Sequence, residues 1–238
     1  MKIGDCPRGI IDANPSLNSD EGWSGNERCW MKHIKKRDVV LSIVVVLILG
    51  LVAWSKLGNA KAKAARLSCV CNVKKLGLAY RIWANDHDGA YPMQMSVAEG
   101  GVKELGEQGH VSDVFRILTN ELSVTRGVIC PSDKQRQPAP AWEELENRHI
   151  SYFIGLDAVD RKPGMLLSGD RNLMLDGADL SGVVQLGTNA NVSFSKTLHR
   201  GVGNIGLADG SVLQVTSEEL RDRVKDSGDS VNRLVLPQ

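Results

Sequence analysis

The sequence predicts an α+β chain in which a long N-terminal helix, membrane-spanning at its start, packs on a turn-rich domain built around a small antiparallel sheet. Three observations carry this reading. Sixteen consecutive residues, Val39 to Trp54, contain no charge. Apolar residues then recur at helical spacing through Cys69, Val73, Leu76, Tyr80 and Trp83. From Met93 onward, short β-prone runs alternate with turn formers. The length of 238 residues suits one ordinary domain plus an appendage. With 29 Lys+Arg against 28 Asp+Glu, the chain lacks the lopsided charge of a global nucleic-acid binder or an acidic low-complexity protein. Aromatic residues make up 5%, too few for a large aromatic-lined pocket.

Residues 1–37 read as a basic cytoplasmic tail with no periodic apolar face, and Met31 offers an alternative start. The run VVLSIVVVLILGLVAW at 39–54 would rise about 24 Å as a helix, against a hydrocarbon core of about 30 Å. Lys56 and the collar Lys35, Lys36 and Arg37 can snorkel to close the gap. The tighter basic cluster before the run places the N-terminus in the cytoplasm and the rest outside, as a single-pass inner-membrane protein. The alternative is a cleavable signal peptide beginning at Met31. Both readings export everything after about residue 60. No proline interrupts Val39 to Asn85, so a membrane segment (39–54) and an amphipathic segment (60–85) form one helix over 38–85, with Gly50 and Gly58 as its weak points.

The helix ends at Asp86-His87-Asp88-Gly89, followed by Tyr91-Pro92. Residues 86–238 form the exported domain. Asp86 and Asp88 open a sequence that resembles the start of a calcium loop, although its later ligands are missing. Val111 to Leu122 predicts a helix capped by Ser112, and Val128-Ile129 a strand leading into Cys130-Pro131-Ser132-Asp133. Strands are expected at 151–156, 165–167, 173–175, 183–186 and 191–194. The runs 204–208 and 211–215 flank Asp209-Gly210, a pair that suits a type I′ hairpin turn. Residues 217–225 predict a terminal helix capped by Ser217.

Of five cysteines, Cys69, Cys71 and Cys130 fall in the exported part, where oxidation favours a disulfide. Cys130 is expected to pair with Cys69 or Cys71, with Cys69 favoured by its place on the apolar stripe. Cys69-x-Cys71 is too close for a zinc knuckle and has no companion pair. No nucleophile-elbow, zinc-protease or phosphate-loop motif is present. His199 and Asp209 are the best placed polar pair for catalysis. The structural alternative has His199 bonding backbone across the hairpin while Asp209 serves the turn.

The apolar helix, AKAKAARLSCVCNVKKLGLAYRIWANDHDGAYP, CPSD, SYFIGLDA, SGDRNL and HRGVGNIGLADGSV together resemble the H-X9-DG class of type IV pilin-like proteins, relatives of type II secretion pseudopilins. The resemblance covers about residues 38–215, and His199, Asp209 and Gly210 are its family motif. It implies a long helix half packed on an antiparallel sheet, and subunits that assemble by bundling apolar helices and are not enzymes. Family members carry Gly-Phe-Thr-Leu-Ile-Glu at the membrane entrance. Here His33 stands at the glycine position, Ile34, Lys35, Lys36 and Arg37 follow, and Asp38 falls at the glutamate position as the candidate assembly carboxylate. A single-pass chain that keeps its anchor, either a minor, non-polymerising pseudopilin or a paralogue that has lost assembly, is the resulting expectation, because buried unpaired basic residues would resist entry into an apolar filament core.

The leading functional expectation is therefore a non-enzymatic, membrane-anchored pseudopilin-like subunit. Its expected partners are the lipid bilayer and other pilin-like subunits or the secretion apparatus, as homo- or hetero-oligomers, with no nucleic acid and no cofactor. The alternatives are an exported binding module holding calcium through Asp86, Asp88, Asp170 and Asp176, and a tethered hydrolase using His199 and Asp209.

Overall fold

The structure, a computed structural model, describes residues 35–238, and within the first helix the side chains of residues 35–51 and 63–85. The expectations for the basic tail, the alternative start at Met31 and the peptidase position at His33 lie outside the described residues. The chain divides into two compact units, Met1–Trp54 and Ser55–Gln238. Helix α1, Lys36–Asn85, runs for 50 residues and contributes to both.

In the first unit the membrane-spanning expectation is overturned. Among the described residues, no helix is long and apolar enough to cross a membrane. The physical reason is length. An uncharged run of sixteen residues rises about 24 Å, short of a hydrocarbon core of about 30 Å. Lys35, Lys36, Arg37 and Asp38 precede it, and lysines resume at Lys56.

The second unit is built on a six-stranded antiparallel sheet in the order β5-β9-β1-β2-β7-β8. Its strands are β1 (Tyr152–Gly155), β2 (Leu166–Asp170), β5 (Gly182–Gln185), β7 (Gly203–Leu207), β8 (Val212–Val215) and β9 (Arg233–Leu236). A three-stranded sheet, β4-β3-β6, uses β3 (Leu173–Leu175), β4 (Ala178–Asp179) and β6 (Val192–Phe194). Short helices α2 (Lys103–Glu107) and α3 (Val111–Arg116) precede the sheet, and α4 (Ser217–Asp226) separates β8 from β9.

Side chains alternate across the large sheet. Tyr152 and Ile154 of β1 share one core with Val73, Leu76 and Tyr80 of α1, whereas Phe153 joins Ile205, Leu236 and the α4 residues Leu220 and Val224 in a second core. Because both faces are covered, β1 and β2 are buried at every position. All five residues of the α1 stripe are buried. Gly206 permits close approach of helix and sheet: a Cβ there would meet Cγ1 of Val73 at 2.9 Å.

Three local expectations are corrected. The helix expected to Leu122 ends at Arg116, and its N-cap is His110, not Ser112, whose amide is instead received by Asn147 at 3.0 Å. The strand expected at Val128-Ile129 does not form, and Val128 instead ends a 3-10 turn, Thr125–Val128. The cap of α4 is Thr216, whose hydroxyl accepts from the Glu219 amide while the Glu219 carboxylate accepts from the Thr216 amide at 2.7 Å.

Candidate functional site

The second half of α1 gathers the separate sequence motifs around it. At one end, Cys69 and Cys130 have their sulfurs 2.11 Å apart, joining the helix to the CPSD segment as a disulfide. Among the described residues Cys71 has no disulfide partner, and it is exposed. Beneath the disulfide lies His199, with Nε2 3.3 Å from the Cys130 sulfur and 3.3 Å from Oδ2 of Asp170. Both side chains of that histidine–carboxylate pair are wholly buried.

The GDRN run at 169–172 places three polar side chains in three different directions. Asp170, at the end of β2, accepts from the backbone amide of Asn204 at 2.7 Å and from its side chain at 2.9 Å. Burial outweighs these bonds and pushes its carboxyl up to about 7. Burial, aided by the Arg66 charge, holds His199 below its usual value. Arg171 forms a two-pronged pair with Asp133 at 2.8 and 3.1 Å. Burial pushes Asp133 up, but Arg171 and the hydroxyl of Ser151, at 2.9 Å, hold it below the usual carboxylate range. Asn172 donates to the carbonyl of Ser195 at 2.9 Å and fixes the loop that carries His199.

At the other end of the motif, the β7–β8 turn seats on α1. Three consecutive carbonyls are received by three side chains: Ala208 by the Tyr91 hydroxyl at 2.6 Å, Asp209 by Arg81 at 2.9 Å, and Gly210 by Lys74 at 2.9 Å. Gly77 faces this turn, with room such that a Cβ would lie 3.5 Å from Gly210 Cα. The turn is not the type I′ form with two positive φ values. Only Gly210 is left-handed, at φ 78°, closing a three-residue connection in which Gly210 donates to Leu207 and Leu207 to Ser211. Asp209 accepts from the Ser211 amide at 2.8 Å, which holds its carboxyl below the usual range.

His199 and Asp209 are therefore bonded to different partners. The carboxylate that meets His199 is Asp170, and Asp209 serves the turn. Both ends of the motif dock the hairpin on α1, since Arg66 also donates to the His199 carbonyl at 3.3 Å. Asp86, Asp88 and Asp176 are exposed, whereas Asp170 is buried. Among the described residues, the one group of three ligating side chains is Cys69, Cys130 and His199, within 4.8 Å. Its two sulfurs are bonded to each other. Asp38 in the first unit accepts from the Lys35 amide at 3.3 Å, a carboxylate placed on the positive first turn of α1.

Sequence reasoning missed the roles of Asp170, Arg171, Asn172 and Asn204. A run of polar residues closing an apolar strand was the available signal, because buried polar groups require partners. Comparison with protein families, with curated proteins and with solved structures finds no match.

Proposed function

We propose that this chain is a pilin-like structural subunit of a type II secretion or type IV pilus-like system, and that it acts by helix-mediated assembly. The observation that carries the reading is the exposed apolar segment of α1. Val39 to Leu51 contains eleven large apolar residues at 45–73% exposure, without a single charge. Exposed apolar area of this extent marks an interaction surface, since each fully buried Leu, Ile or Val contributes about 1.5–3 kcal/mol. Equivalent segments of other subunits are the matching surface: an all-apolar helix is covered when its neighbours are apolar helices.

The rest of the site supports a structural role. The H-X9-DG residues are occupied in docking the hairpin onto α1, and the Cys69–Cys130 disulfide suits an oxidising compartment. Lysine-directed cross-linking of the full chain should give a ladder of oligomers on a denaturing gel, lost when Val46 and Leu47 are changed to Asp. A monomer band alone, or a ladder unchanged by the substitutions, contradicts the proposal. So does association of the wild-type chain with lipid vesicles without any ladder.

A further inference from the structure

Beside the disulfide, three segments of the second unit enclose an open cleft of about 390 Å³. Arg66 comes from α1, Ser132 from the CPSD segment and Lys134 from just after it, and Lys196, Thr197 and Arg200 from the loop before β7. Four cationic side chains thus line one concavity, and among the described residues its walls contain no carboxylate. Among the described residues, none of the four is in an ion pair. Clustered like charges repel one another and weaken the fold unless an anion neutralises them.

The walls are held in place by bonds already described. Cys130 is tied to α1, Asp133 is clamped by Arg171, and Asn172 holds the 195–198 loop. His199, Arg200 and Gly201 follow in left-handed conformation, with φ of 47°, 61° and 89°. Two consecutive non-glycine residues with positive φ persist only where the surroundings over-determine them. Here the burial of the His199 side chain and the Arg66 bond to its carbonyl do so, leaving Arg200 exposed at the rim. A cationic cleft with fixed walls and two hydroxyls is preorganised for a compact anion with several acceptor oxygens.

We propose that this cleft binds a phosphate monoester, a dianion that guanidinium, ammonium and hydroxyl groups can surround. The dianion is preferred over a sulfate monoester of the same shape because four cations reward the second charge. The site is independent of the apolar segment and adds ligand binding to the assembly role.

Titration calorimetry of the full chain at constant ionic strength tests the site, with glucose 6-phosphate, glucose 6-sulfate and glucose as probes. Glucose 6-phosphate should bind at one site per chain, glucose 6-sulfate about tenfold more weakly, and glucose not at all. A Lys134→Gln/Lys196→Gln variant changes two exposed side chains and should keep the wild-type melting temperature while losing about tenfold in phosphate-ester affinity. No heat with glucose 6-phosphate overturns the proposal. Equal affinity for the sulfate ester, or undiminished affinity in the double variant, does the same. Should that variant melt early, Arg200→Gln alone provides the same comparison.

Discussion

Val39–Leu51 and Cys69–Ala84 belong to one helix, and both are rich in apolar residues, yet they meet opposite fates. In the first stretch the apolar residues surround the helix, and Leu47 is 62% exposed. In the second they fall on a single stripe, and Leu76 is wholly buried, while Lys74, Lys75 and Arg81 occupy the other faces. Apolar content alone does not decide where a helix is covered within its own chain. A stripe matches the flat face of a sheet. An all-round apolar surface needs neighbours on every side, which one small domain cannot supply.

The largest test of the contrast is the covalent tie of the striped half. Replacing both Cys69 and Cys130 with Ser opens a connection spanning 61 residues, which should cost about 4 kcal/mol by chain entropy. Scanning calorimetry should then show melting about 10 °C lower, by the usual scaling for a domain of this size. Next comes Leu76→Ala, which leaves a cavity between α1 and the sheet and should cost about 2–5 kcal/mol, read by chemical denaturation. The same truncation at Leu47 should move domain stability by less than about 0.5 kcal/mol. Equal losses at the two positions would erase the distinction between the halves.

A smaller effect concerns the polar pair under the striped half. Asp170 has an unfolded value of about 4 and a folded value of about 7. The native state therefore holds an extra proton between these values, so this contribution is complete below about pH 4 and is lost as pH rises through about 7. His199, lowered in the folded state, works the other way: its contribution is present above its unfolded value of about 6.5 and is lost as pH falls through the folded value. Asp170→Asn removes the first contribution and leaves the second. The variant should lose more melting temperature than wild type on acidification from pH 7 to pH 5. Parallel pH profiles for the two proteins would show that Asp170 is not the titrating group.

These elements differ in how far the sequence disclosed them. The stripe through Cys69, Val73, Leu76, Tyr80 and Trp83 was readable because helical periodicity is local, and Asp209-Gly210 marked a hairpin for the same reason. The turn type was not readable, since tertiary bonds from Tyr91, Arg81 and Lys74 to its carbonyls select the conformation. Strand β9 was missed altogether: four residues, Arg233–Leu236, become a strand by inserting between β5 and β1, which no local pattern announces. The partnership of His199 with Asp170 rather than Asp209 is likewise a product of sheet order, because β2 lies beside β7. The apolar run at 39–54 was legible as composition, yet among the described residues no helix is long and apolar enough to cross a membrane.

The assembly role proposed for this chain requires residues 39–51 to be covered by other copies or related subunits. Sedimentation velocity of the full chain, comparing wild type with the Val46→Asp/Leu47→Asp variant, checks this. Wild type should form oligomers and the variant a monomer, with the same domain melting temperature in both. A monomeric wild-type chain, or oligomers that survive the two charges, would contradict it.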